Sequence, residues 1–330
     1  MAEAEEHCRT ALDQARGAGD LRCEARLLLS LGSMDTDASR MDRARDRHST
    51  ALTIARQIED RTLECEALNE LGTLDDYRGR FDEARGHYEA ALAIARQIGD
   101  RRWEGGVLGN LGGLDASAGR MSQARVHFQA GLVVARELGN RQWEGNALCN
   151  LGLVHLLQGE LNEARQKLQE SLQVAREMGH VRLGAVVLCN LGIVHEALGE
   201  VDPARSDFEA ALAVARDIGD RRSEGQFLGY LGTLNARQGR LEEARGQLDA
   251  GAALLRDASD RFYLGVLLCG RAELEALCDR LRPAQATLAE AQAIADEIGA
   301  GRGSELAAAL ERARARLLQQ EPRAAGATDC

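Results

Sequence analysis

The octapeptide LCNLGLVH at residues 148–155 returns almost unchanged as LCNLGIVH at 188–195, and a looser form, LGNLGGLD, occupies 108–115. A Cys, an Asn and a His that recur together suggest a metal site or a nucleophile with its base. The 40-residue interval suggests an architecture instead, and widening the comparison decides between them. Ala4, Ala44, Ala84, Ala124, Ala164, Ala204, Ala244 and Ala284 stand in unbroken 40-residue register. Leu28 to Leu268 keep the same step, as do Gly32 to Gly232 before Ala272 replaces the glycine. Self-similarity at such a period is the mark of a repeat protein.

Within one period, Leu148, Leu151, Gly152 and His155 follow the i, i+3, i+4, i+7 spacing of a helix face, and Leu161, Ala164, Leu168, Ser171 and Leu172 do so again. Each repeat therefore predicts two amphipathic helices. Gly159 is placed to end the first, and Asn162 to cap the second, with Asp82, Ser122 and Asp202 at matching positions. Pro203 and Pro283 are assigned to the first helical position, where a missing N–H costs nothing. IGDRR at 98–102 and 218–222 joins repeats, Gly ending one helix and Asp capping the next. Small residues at Gly152 and Ala164 let the paired helices approach, and leucines fill the space around them. The pattern is a helix-hairpin solenoid.

The order Leu148, Leu151-Gly152, Ala164, a large residue at Leu168 (Tyr88, Phe128 and Phe208 elsewhere) and a small one at Ser171 resembles the tetratricopeptide repeat (TPR). The spacing is similar to the 40-residue class seen in Pins/LGN-type, kinesin light chain-type and bacterial regulator arrays. The resemblance implies an all-α, right-handed TPR superhelix, an α-solenoid of about seven hairpins. The expected divisions are an N-terminal half-repeat (1–20, second helix only), seven hairpins (21–300), a C-terminal capping helix (301–320) begun by Ser304, and a disordered tail (321–330). The sequence departs from the family where a Tyr is usual near the end of the first helix, holding Asp75, Asp115, His155, His195 or Asn235.

The half-repeat at 1–20 carries Leu12 and Ala15 with no first helix of its own to cover them. It is read as a cut through a longer array, the chain being the C-terminal part of a larger regulator. The alternative is that it docks on a partner or a second copy.

Composition narrows the function. A net charge of −11, spread along the chain, opposes a duplex nucleic-acid binder, which needs a cationic stripe. No apolar run approaches the roughly 20 residues of a membrane span, and MAEAEEHCRT lacks the regions of a signal peptide, so a cytoplasmic protein is expected. A single lysine, Lys167, among forty arginines points to a GC-rich bacterial genome. The eight cysteines form no CxxC pair. Cys149 and His155 are six residues apart, about 240° around a helix, and cannot share a ligand. A Cys149–Cys189 bridge is not expected across helices about 8–10 Å apart. With no HExxH and no clustered ligand set, neither a metal, a cofactor nor a catalytic centre is expected. His155 and His195 are read as packed core histidines, and Trp103 and Trp143 as packing between repeats.

If Leu148, Leu151, Gly152 and His155 face the paired helix, residues 146, 149, 150, 153 and 157 face the other way, which in a TPR superhelix is the concave groove. Position 150 reads Ser30, Glu70, Asn110, Asn150, Asn190, Tyr230, Gly270 through successive repeats. An Asn amide both accepts and donates, so a file of them suits the backbone of an extended peptide. The candidate peptide-binding residues are Asn110, Asn146, Asn150, Asn190, Leu153, Leu157, Ile193 and Tyr230, over a floor that includes Cys149, Cys189 and Ala197. The competing reading has each Asn bonding to a neighbouring helix and to no ligand. The expected role is a protein-interaction adaptor. The alternative is the ligand- or peptide-sensing part of a bacterial transcription or signalling regulator, joined to an upstream domain.

Overall fold

The computed structural model describes residues 2–301 and 304–320, and among them every regular element is a helix. The first helices of the repeats are α2 (Leu21–Asp37), α4 (Arg61–Tyr77), α6 (Arg101–Ser117), α8 (Arg141–Leu157), α10 (Val181–Ala197), α12 (Arg221–Arg237) and α14 (Arg261–Leu277). Their partners are α3 (Met41–Gln57), α5 (Phe81–Ile98), α7 (Met121–Glu137), α9 (Leu161–Glu177), α11 (Val201–Asp217), α13 (Leu241–Asp257) and α15 (Leu281–Glu297). α1 (Ala2–Ala18) precedes them and α16 (Glu305–Gln320) follows. The expected tail at 321–330 lies outside the described residues. The chain divides into two compact units, Met1–Ala147 and Leu148–Cys330. In each, successive hairpins stack as a helical solenoid.

The glycine-alanine side of each hairpin explains the period. A Cβ added at Gly72 would lie 2.7 Å from the Tyr88 ring, at Gly152 2.6 Å from Leu168, and at Gly192 2.6 Å from the Phe208 ring. The large residue of the second helix thus sits directly on the backbone of the first. Ala44, Ala84, Ala124, Ala164, Ala204, Ala244 and Ala284 are wholly buried at the crossing points. Such contacts pack the interior closely without long side chains, which is how a chain with 3% aromatic residues builds a core.

The ends of the helices are partly as expected. Asp100 accepts from the backbone N–H groups of Arg102 and Trp103, and Asp220 from Ser223. Gly99 and Gly159 close helices at φ 70° and 76°, the left-handed conformation that a Cβ disfavours. Ser39, Glu59, Ser259 and Asp279 adopt the same conformation without being glycine. The caps assigned to Asn162, Asp82, Ser122 and Asp202 are displaced. Their helices begin two residues earlier than those caps would place them, so the capping positions are Glu160, Arg80, Arg120 and Glu200, none with a side-chain cap bond. The backbone N–H of Ala164 already bonds to the Glu160 carbonyl at 2.9 Å, which puts Asn162 inside the first turn and Pro203 at its third position. Pro203 is tolerated there because that N–H too has no intrahelical acceptor.

Leu12 and Ala15 are not left bare. Both are buried, Leu12 in one apolar cluster with Ala25, Leu28 and Leu29 of α2. α1 packs on α2 as the second helix of a preceding repeat would. At the other end the backbone N–H of Ala307 donates to Ser304 Oγ at 3.2 Å, the N-cap bond anticipated for α16.

Candidate functional site

The position that departs from the usual Tyr is a polar node, buried in every repeat except at His195, which is half-buried. Asp75, 1% exposed, accepts from Arg45 of the preceding repeat, contacts Arg80 Nη2 at 2.8 Å and meets His87 Nδ1 at 3.0 Å. Asp115 repeats the set with Arg85, Arg120 Nε at 2.9 Å and His127 Nδ1 at 2.9 Å. Beyond residue 148 the polarity changes. His155 and His195 stand at the node, with Nδ1 on Glu160 Oε2 at 2.5 Å and on Asp207 Oδ2 at 2.7 Å. Asn235 is neutral, donating to Gln247 Oε1 at 2.8 Å. Buried polar groups persist where partners satisfy them, and these partners come from the same hairpin and, through Arg45 and Arg85, from the preceding one. The histidines are packed residues, bonded to acids rather than poised over an open cleft.

The recurring cysteines are buried too. Cys149 and Cys189 lie beneath the neighbouring first helix rather than on an exposed floor, at 5% and 1% exposure. Burial pushes the Cys149 thiol up to about 11 and that of Cys65 to about 12. A thiol held protonated in this way is neither a nucleophile nor a ready metal ligand. Cys8, Cys23, Cys65, Cys149, Cys189, Cys269 and Cys278 are all free, and no group of three His, Cys, Asp or Glu among the described residues is arranged to hold a metal ion. No described helix is long and apolar enough to cross a membrane.

The open face, that side of the first helices turned away from their partners, differs between the two units. In the N-terminal unit it is acidic and hydrogen-bonded from helix to helix. Ser33 Oγ donates to Glu70 at 3.3 Å, Asn69 Nδ2 to the other Glu70 oxygen at 3.5 Å, and Asn110 Nδ2 to Asn69 Oδ1 at 2.8 Å. Burial raises the carboxyls of Glu66 and Glu70, with repulsion between them adding to Glu66. Asn110 is half-buried in this network and Asn146 is exposed.

In the C-terminal unit the open face is apolar. Leu157 is 47% exposed and Val186 37%, with Leu153 and Ile193 half-buried and Ala197 exposed along the same stripe. Asn150 is half-buried. Asn190 is only 7% exposed, and its Nδ2 donates to Cys149 Sγ at 3.5 Å. Asn110 and Asn190 each hold a neighbouring first helix, as the competing reading had it, although an amide retains a second N–H and acceptor capacity. Val186 is an open-face residue that the sequence reading passed over. Its register, 40 residues after Asn146, was the signal that could have found it.

Ile193 and Tyr230 come together at the far end of this stripe. They line a partly open cavity of about 230 Å³ bounded by α10, α12, α14 and α16. Leu153 and Leu157 lie outside it. Tyr230 stacks on Phe208, ring centroids 5.8 Å apart and 8° from parallel, and its hydroxyl donates to Glu305 of α16. Glu305 was not among the candidates, because nothing in the repeat register connects it to Tyr230 75 residues earlier.

Residues 141–330 match the family described as the MalT-like TPR region, and residues 23–97 and 104–177 match the tetratricopeptide repeat. No functionally curated protein matches the chain. Among solved structures, the apo form of RapI superposes with a TM-score of 0.71 at 14% identity, covering 84% of this chain and 100% of RapI. The Rap conjugation gene regulator of plasmid pLS20, in complex with the Phr* peptide, gives 0.63 at 19% identity over 88% of this chain and 78% of that one. The STAND protein PH0952 from Pyrococcus horikoshii, which has a tetratricopeptide repeat sensor, gives 0.58 at 14% identity over 95% of this chain and 52% of that one. At these identities the likeness is one of fold. With more than half of its length matched, the chain belongs to the family of MalT-like TPR regions and is a tetratricopeptide-repeat scaffold.

Proposed function

We propose that the open face of the C-terminal unit holds an extended peptide segment. The observation that carries this reading is the half-exposed apolar stripe of Leu153, Leu157, Val186 and Ile193 beside Asn150 and Asn190. Exposed apolar surface of this kind, set among ordered amides, gives an extended chain both burial for side chains and partners for its backbone. The Rap regulator of similar fold bound to the Phr* peptide is consistent with this use of the scaffold. Asn110 and Asn146 offer amides on the open face of the N-terminal unit, where an acidic surround favours basic segments. In this reading the protein is an adaptor rather than an enzyme.

The sensing alternative has one specific support. The family match over 141–330 is to a MalT-like TPR region, and PH0952 couples such an array, as its sensor, to the rest of a longer chain. A peptide bound on the C-terminal unit would then be the signal.

The test begins with nonapeptides selected from a random displayed library against the whole protein. Isothermal titration of a selected peptide against wild type and the Asn150→Ala/Leu157→Asp variant is expected to show at least a tenfold loss, about 1.4 kcal/mol or more. Unchanged affinity for every selected peptide removes the open face of this unit as the site.

A further inference from the structure

We propose that the cavity bounded by α10, α12, α14 and α16 is a binding site for a primary ammonium group carried on a small apolar or aromatic body. The inference does not rest on the peptide reading, because these helices bound the cavity whether or not a peptide lies beyond its mouth.

The walls are apolar and aromatic: Ile193, Val266, Leu267 and Ala309, with the rings of Tyr230 and Tyr263. Two glycines among the lining residues set how closely the walls approach. Gly270 stands where α6, α8 and α10 carry Asn110, Asn150 and Asn190, and a Cβ there would lie 2.0 Å from Thr233 Oγ1. The glycine brings α14 close onto α12, and at Gly229 a Cβ would lie 3.2 Å from Leu267, a second close approach of the same two helices.

The polar lining is unequal. Three carboxylates, Glu196, Glu273 and Glu305, face two guanidinium groups, Arg237 and Arg312. Arg237 is committed. It grips both oxygens of Glu273 at 2.8 Å and donates to Glu196 at 2.8 Å. Glu305 is the one of the three carboxylates with no guanidinium bonded to it: it accepts from the Tyr230 hydroxyl, while the exposed Arg312, two turns further along α16, acts on it through space. Burial raises the Glu305 carboxyl above its usual range.

A ligand that satisfies Glu305 must bring positive charge against apolar and aromatic walls. A carboxylate held away from water is stabilised by a charge-assisted hydrogen bond, and a cation beside tyrosine rings gains from their negative faces. An anion would meet three carboxylates. A bare metal ion would lack a third ligand, since no such triad exists among the described residues. An organic ammonium satisfies Glu305 with one N–H and fills the apolar volume with its body. Such a group arrives either as a free arylalkylamine or as the amino terminus of a peptide with an apolar first residue.

Isothermal titration of the whole protein near neutral pH separates the cases. The probes are 2-phenylethylamine, its N-acetyl derivative, 3-phenylpropionate, and a phenylalanyl tripeptide amide with a free or an acetylated amino terminus. Saturable binding of phenylethylamine or the free tripeptide, absent for the acetylated and acidic probes, is expected. The stronger of the two identifies the source. Glu305→Gln, which keeps a side chain able to meet Tyr230, is expected to lower the affinity at least tenfold, with an unchanged far-UV circular dichroism spectrum and melting temperature. Ile193→Trp, which fills the volume without touching the charge, is expected to abolish binding. Absence of saturation by either free amine up to about 5 mM, equal binding of the acetylated probes, or indifference to both substitutions overturns the proposal.

Discussion

Asp115→Ala is expected to lower the stability of the N-terminal unit by about 3 kcal/mol. The Asp115 side chain has no exposure and is held by Arg85 from the preceding repeat, by Arg120 and by His127. Removing it leaves three donors converging on an empty acceptor site. Breaking a buried ion pair usually costs about 3–5 kcal/mol. The lower end applies here because Arg85 and Arg120 remain 24% and 32% exposed and recover part of their hydration. By contrast Asp42, 92% exposed in its pair with Arg78, is a surface partner whose loss is expected to leave the transition unmoved. Urea unfolding followed by circular dichroism measures both. A repeat array can unfold in more than one step, so the comparison belongs to the transition of the unit containing the substitution. A loss for Asp115→Ala below about 1 kcal/mol would mean that the node does not hold the repeats together.

His48→Phe is expected to act in the opposite direction. His48 occupies the core position held by Tyr88, Phe128, Leu168, Phe208 and Leu248 in other repeats. It is fully buried against Gly32, and neither ring nitrogen has a hydrogen-bond partner. A buried polar group left unsatisfied costs about 1–3 kcal/mol, so a phenylalanine of similar shape should stabilise the first hairpin by about 2 kcal/mol at neutral pH.

Acid widens the gap. Burial lowers the His48 imidazole to about 4, with Asp35 opposing the shift and Arg47 reinforcing it. The unfolded chain takes up this proton near its ordinary value of about 6.5, and the folded one only near 4. The contribution of neutral His48 is therefore intact above about 6.5 and is lost as the pH falls toward 4, a total of roughly 3 kcal/mol. Carboxylates titrating in the same range affect both proteins alike. Melting temperatures of wild type and variant should diverge steadily from pH 7 to pH 4.5; parallel curves would contradict a neutral, unpartnered imidazole.

Sequence alone disclosed the architecture because local chemistry repeats it. Leu148, Gly152, Ala164 and Leu168 define both helices and the face on which they meet, and Gly159 and Asp100 mark ends through bonds that reach only a few residues. The caps at Asn162 and Asp202 were displaced because a capping residue differs from a first-turn residue only in which carbonyl the next N–H selects. The nodes were visible as an anomaly at Asp75 and His195, but their partners lie on other helices, 30 residues back at Arg45 and 12 forward at Asp207.

The same limit governed the candidate site. Asn110, Asn150 and Asn190 share one register, yet how far each is covered depends on the helix beside it, and Asn190 is closed over by its contact with Cys149. The pairing of Tyr230 with Glu305 depends on how α16 packs at the end of the stack, which no 40-residue period encodes.

The most direct test of the open-face account is methyl and side-chain amide NMR of the whole protein, titrated with a library-selected nonapeptide. Shifts concentrated on the Leu153, Leu157, Val186 and Ile193 methyls and the Asn150 and Asn190 amides, with Val174 and Leu212 of the second helices unmoved, are the predicted result. Shifts centred on the second helices, with those six residues silent, would contradict it.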